Sequence, residues 1–167
     1  MYSREEIKQL HKEFWTAFGT FCQHLPRFKY RHKDWILYNT RIKGVEMKFD
    51  ATCDGAYVIM ELNNKSERKR LAMMELLKRY KAVVDEDFAD AVWEDSYIKP
   101  CGTEVCRIYR CQSELNIHKR EQWKDFFVYL SKNMSALERV FDAMKEQLQD
   151  IATDSNTEST EEEESLS

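Results

Sequence analysis

Lys48, Asp50, Glu61 and Asn63 are the residues whose types and spacing could do chemistry. They lie in two alternating apolar runs, VEMKFDATC and AYVIMELNN, separated by Asp54 and Gly55. Asp-Gly between such runs predicts a β-hairpin over residues 45–63, because a type I′ turn needs positive φ at both central residues. With Asp54 and Gly55 as the loop, Cys53 faces Ala56, Ala51 faces Val58, Phe49 faces Met60 and Met47 faces Leu62, all on a core side. The other side sets Lys48 against Glu61 and Asp50 against Ile59, and also carries Glu46 and Asn63. Two carboxylates on neighbouring strands could hold Mg²⁺, and a lysine beside them could orient an attacking water.

An Asp on one strand and a Glu-x-Lys on the next is the metal-holding pattern of the PD-(D/E)xK nucleases. On that reading Asp50, Glu61 and Lys48 are catalytic and Mg²⁺ is the cofactor. Asn63, however, stands where the pattern wants lysine. A cross-strand ion pair between Lys48 and Glu61, worth roughly 0.2–1 kcal/mol, accounts for the same residues more simply. No GxGxxG, P-loop, GxSxG or HExxH is present, and His11, His24, His32 and His118 show no ligand spacing. The expectation is a non-enzymatic domain without a cofactor, with the nuclease as the alternative.

A second candidate is RFKYRHK at residues 27–33. Arg27, Lys29, Arg31 and Lys33 could neutralise phosphates while Tyr30 stacks on a base, as in single-strand nucleic-acid binders. Seven residues are a short footprint for such a site, so a solvated connector is the plainer reading. Cys101, Cys106 and Cys111 are each five apart. Paired zinc ligands usually sit closer, and in a strand Cys106 and Cys111 face opposite ways, so no metal site is expected.

The elements that must position these residues follow from periodicity. Ser3 and Glu6 have capping-box spacing, and Ile7, Leu10, Phe14, Phe18, Phe21 and Leu25 predict a helix that Pro26 ends. A short strand is expected at residues 35–40. Asn63, Asn64 or Ser66 caps a helix through Leu71, Met74 and Leu77 to about Val84, rich in Lys and Arg. Further strands are expected at Ala91 to Glu94, with Trp93 buried, and at Glu104 to Cys111. From Trp123 to Ile151 apolar residues recur in steps of four and three through Phe127, Leu130, Met134, Leu137, Phe141, Met144 and Leu148. Such a seam fits a coiled coil, but its bulky aromatics favour one or two long helices packed on a sheet. Ser135 with Glu138 repeats the capping-box spacing and could break the helix at Asn133-Met134.

The 167 residues, 43% of them hydrophobic, suffice for one domain with a substantial core. Residues 153–167 hold six of the 30 acidic residues and no basic one, which leaves 24 acids against 26 bases elsewhere. The expected division is a single domain over 1–152 and a disordered acidic Ser/Thr/Glu tail over 153–167. The nearly neutral domain lacks the whole-domain basic signature of nucleic-acid binding. Five cysteines, an odd number, without a hydrophobic leader predict a reduced, cytoplasmic chain. No apolar run approaches the roughly 18 residues needed to cross a bilayer, so no membrane partner is expected.

The Phe14-Trp15 pair, RIKGVEMKF, YVIMEL, KRYKAVVDEDF, Trp93 and WKDFFVYLSKNMSALERVF together resemble the bacterial and archaeal family called domain of unknown function 4268. The resemblance implies a compact α+β domain and carries no catalytic residues. It also implies an association with nuclease-like modules, in this chain only through a partner in trans. The expected fold is α+β: an antiparallel sheet of three to five strands with an N-terminal, a middle and a long C-terminal helix on one face. The expected role is a non-catalytic intracellular accessory or interaction domain, linked by that resemblance to DNA-related or defence systems. Its partner would be a protein, a second copy held through the C-terminal helix, or nucleic acid.

Overall fold

The structure is a computed structural model that describes residues 2–25 and 37–154. Helix α1 (Arg4–Gln23) opens on the capping box that its sequence predicts. Ser3 Oγ accepts from the Glu6 amide, and the Glu6 carboxylate accepts from the Ser3 amide. Leu10, Phe14, Phe18 and Cys22 form its buried stripe, each four residues from the last. Strands β1 (Leu37–Asn39), β2 (Val45–Thr52), β3 (Gly55–Leu62), β4 (Val92–Ile98) and β5 (Glu104–Gln112) make one antiparallel sheet in the order β1-β2-β3-β5-β4. Between β3 and β4 run α2 (Glu67–Arg79) and α3 (Lys81–Asp87). The single helix expected to reach Val84 is thus two, because Tyr80 leaves the helical region at φ −101, ψ 28.

The hairpin forms, but its register differs from the expected one. Thr52 pairs with Gly55, Ala51 with Ala56, Phe49 with Val58, Met47 with Met60, Lys48 with Ile59 and Asp50 with Tyr57. The loop residues are Cys53 and Asp54, neither of them at positive φ. Thr52 Oγ1 accepts from the Asp54 amide at 3.0 Å and so closes this turn with a side chain. Gly55 serves another purpose: a Cβ there would lie 2.4 Å from the Gln112 carbonyl oxygen on β5. The slip is two residues, an even number, so the side chains that stay in the strands keep their predicted faces, while Cys53, expected on the core side, lies exposed in the loop.

Helix α4 (Trp123–Thr153) is continuous, and it is the centre of the molecule. Asn133 does not break it, because its side-chain amide donates back to the Tyr129 carbonyl at 2.9 Å. The predicted seam from Trp123 to Leu148 is buried, and in mid-helix Asn133 to Leu137 are buried on consecutive positions. α1, α2, α3 and the β2–β3 face all touch α4. The bulky seam residues find their partners here: Phe14 of α1 meets Trp123, Phe126 and Phe127 at 5.3, 5.4 and 5.2 Å between centroids. Trp123 also donates from Nε1 to the Ile117 carbonyl at 2.7 Å. At the other end of α4, buried Lys69 donates to the Ala152 carbonyl at 3.1 Å, a cation closing the helix C-terminus. Trp93 is only partly buried against this core.

Gly55→Ala should lower stability by ~1–3 kcal/mol because the new Cβ meets backbone, whereas Asp54→Ala should stay within about 0.5 kcal/mol. Urea unfolding of the two variants checks this; a larger loss at Asp54 would restore the type I′ reading.

Candidate functional site

All the described helices lie on the sheet face formed by Met47, Phe49, Val58, Met60 and Ile108, and none covers the opposite face. Strand alternation sends Glu46, Lys48 and Asp50 of β2 to that open face, with Tyr57, Ile59 and Glu61 of β3. Val105, Arg107 and Tyr109 of β5 follow, with Val92, Glu94 and Tyr97 of β4; Ile59 and Val105 on this side are nonetheless buried.

Glu61 is the hub of one half. Only 5% of it is exposed, although no described helix covers it. Lys48 Nζ reaches its Oε2 at 2.8 Å and Asn63 Nδ2 donates to the same oxygen at 2.7 Å, while Lys99 Nζ stands 3.4 Å from Oε1. Lys48 is not opposite Glu61 but diagonal to it, and Glu46 occupies the opposed position. The lysine sits between the two carboxylates, 3.0 Å from Glu46, and relieves their repulsion. Burial works to raise the Glu61 pKa; the Lys48 and Asn63 hydrogen bonds and the charges of Lys48 and Lys99 outweigh it and hold the carboxyl below its usual range. Burial likewise opposes the Lys48 charge, and Glu61 and Glu46 overcome it to raise the lysine's pKa.

The slip in register separates the proposed metal ligands. Asp50 pairs with Tyr57, so Glu61 lies four positions further along the ladder. That is roughly 13 Å along the strand at about 3.3 Å per residue, instead of the two positions expected from the sequence. Asp50 is exposed, and its Oδ1 accepts from the following amide, Ala51, at 2.9 Å. The structure therefore brings Lys48 to Glu61 and leaves Asp50 apart. Among the described residues no group of three or more His, Cys, Asp or Glu could hold a metal ion. Cys106 is buried and Cys111 exposed. Arg27, Lys29, Tyr30, Arg31 and Lys33 lie outside the described residues, as do Trp35 and residues 155–167.

The other half of the face centres on Arg107, which the sequence does not single out. Its guanidinium carbon lies 3.4 Å from the Tyr97 ring centroid and 4.6 Å from that of Tyr109. Its Nε donates to Glu94, its ladder partner, at 2.5 Å. A register shift between Glu94 and Tyr97 re-aims the tyrosine so that its ring can reach the arginine. Burial opposes the Arg107 charge, but Glu94 outweighs it and the pKa is raised; burial and then Glu94 push the Tyr109 phenol up. Tyr57 extends the aromatic patch, 6.0 Å from Tyr109. The alternation of Val105, Arg107 and Tyr109 was the available signal, but only the β4–β5 pairing reveals the stack.

The architecture is thus a one-sided α+β domain whose sheet keeps an organised polar and aromatic face. The chain belongs to the family described as Domain of unknown function (DUF4268), whose model matches residues 10–145. No curated protein and no solved structure matches it.

Glu61→Gln should destabilise the fold by ~1–3 kcal/mol at pH 7, because Lys48 keeps its charge in a half-buried site with only Glu46 left as a carboxylate partner, and Lys99 loses its own. Since the folded carboxyl titrates below its ordinary value of 4.5, its contribution is complete above that value and is lost as pH falls through the folded pKa. The gap between wild type and variant should therefore close on acidification below about pH 4.5. Denaturant titrations across pH 3–7 read this; a gap that stays constant would contradict the assignment.

Proposed function

We propose that this domain is a non-catalytic interaction module that receives a protein partner on its open sheet face. The observation that carries the reading is the Tyr97–Arg107–Tyr109 stack, held by Glu94 on a face that no described helix covers. Arginine and tyrosine are, with tryptophan, the side chains most enriched where binding energy concentrates. Here they are already ordered, so binding would cost little further side-chain entropy. Charge points the same way. Lys48, Lys99 and Arg107 each meet a carboxylate across the sheet, from Glu61, Glu46 or Glu94. A phosphate backbone would have to displace those carboxylates before it gained the counterion release that drives nucleic-acid binding.

The reading extends to location and context. The domain would act inside the cell as an accessory to another protein, consistent with five free cysteines. A link to DNA-related or defence systems in bacteria rests on family analogy alone. Two rival functions stay testable on named residues: an Mg²⁺-dependent nuclease using Asp50, Glu61 and Lys48, and a single-strand binder using Arg27, Lys29, Tyr30, Arg31 and Lys33.

Titration of labelled single-stranded DNA, duplex DNA and RNA with Mg²⁺ at two salt concentrations tests all three. The interaction-module reading expects neither cleavage nor salt-sensitive binding. Cleavage lost in both Asp50→Ala and Glu61→Ala would replace it with the nuclease. Salt-sensitive binding lost on neutralising Arg27, Lys29, Arg31 and Lys33 would replace it with the nucleic-acid binder.

A further inference from the structure

A guanidinium offers donors on three nitrogens, and Arg107 uses one of them. Nε donates to Glu94, and among the described residues neither Nη1 nor Nη2 makes a hydrogen bond. These two nitrogens nevertheless reach solvent, because no buried side-chain nitrogen or oxygen among the described residues lacks a hydrogen-bond partner. The rest of the side chain is covered, and only 17% of it is exposed. Tyr97 and Tyr109 lie against the group, with its carbon 3.4 and 4.6 Å from their ring centroids, and Glu94 fixes its rotation. The open face therefore presents an ordered edge of two spare donor nitrogens.

Such an edge fits a planar acceptor with two oxygens. The neighbours narrow the choice. Arg107 stands on the ladder between Glu61 of β3 and Glu94 of β4, so a doubly charged phosphate would meet a carboxylate on either side. A singly charged carboxylate meets less repulsion, and it need not displace Glu94, which holds Nε. Chain termini are captured by nests of free backbone amides, whereas β5 is an inner strand with ladders to β3 and β4 on its two edges. Val92, exposed and paired with Tyr109, adds an apolar surface beside the stack. We infer that the partner placed above on the open face inserts an acidic side chain whose carboxylate receives Nη1 and Nη2 of Arg107, while apolar neighbours of that residue lie on Val92 and Tyr109. This rests on the open-face reading and adds the chemistry of its ligand.

NMR titration of the isotope-labelled full chain tests this through the Arg107 Nε–H signal and the backbone amides of Val92, Tyr97 and Tyr109. The first probe is a short peptide with one glutamate between two leucines and both ends blocked. The controls are the same peptide with glutamine in place of glutamate, that glutamine peptide with a free C-terminus, and inorganic phosphate. The glutamate peptide should give saturable shifts at these signals and bind about fivefold or more tightly than any control. Arg107→Lys keeps the charge but removes the two-nitrogen edge, so it should abolish the preference. The comparison of probes on the unaltered chain stands even where that variant fails to fold. Equal binding of any control, a preference that survives Arg107→Lys, shifts confined to other residues, or no shift at all would each overturn the inference. A failed titration removes the acidic ligand alone, because cross-linking of a cellular partner from Tyr57 tests the open face without it.

Discussion

A helix whose middle is buried on consecutive positions has to be wrapped, because a single buried stripe can be laid on a surface and a girth buried all round cannot. α4 is such a helix, and the rest of the fold follows from enclosing it. The sheet supplies one wall through Met47, Phe49, Val58 and Met60, α1 supplies another through Phe14 and Phe18, and α2 and α3 close the remainder. Its heptad seam is used up inside the molecule. Phe14 fills the space among Trp123, Phe126 and Phe127 that a second copy of α4 would need in a coiled coil.

Spending every described helix on one side leaves the other side of the sheet to stabilise itself. It does so with charge and aromatic contact. Glu61 is nearly inaccessible, yet lysines reach it from β2 and from the β4–β5 loop. Arg107 is enclosed by two rings and a carboxylate, an arrangement worth roughly 1–2 kcal/mol where the cation is partly desolvated. These networks keep the face ordered and close to neutral. A surface with those properties suits recognition of a protein better than attraction of a polyanion.

Much of this fold was legible from local chemistry. The Ser3 and Glu6 cap, the four-and-three steps of α4 and the alternation of the central strands each name their element from neighbours a few residues apart. What failed needed long-range information. The hairpin register turned on Thr52 closing a turn through its hydroxyl and on Gly55 lying beneath the Gln112 carbonyl, and nothing in residues 45–63 reveals the latter contact. That two-residue slip kept Lys48 with Glu61 and moved Asp50 away, which reshapes the candidate site without changing which residues share its face. Arg107 stayed hidden for a similar reason: its partners come from β4, whose register shift cannot be read from VWEDSYI alone. The helix break at Tyr80 was equally silent, since neither glycine nor proline marks it.

The open face of the sheet, and not the helical surface, is the proposed meeting point with the partner. Site-specific photo-crosslinking in the cell of origin tests it most directly, with a benzophenone side chain placed at Tyr57 on the sheet and, separately, at exposed Leu71 on α2. The expected result is one discrete protein adduct from position 57, lost when Arg107→Ala removes the centre of the stack, and none from position 71. Adducts from position 71 alone, or equal labelling from both positions, would contradict it.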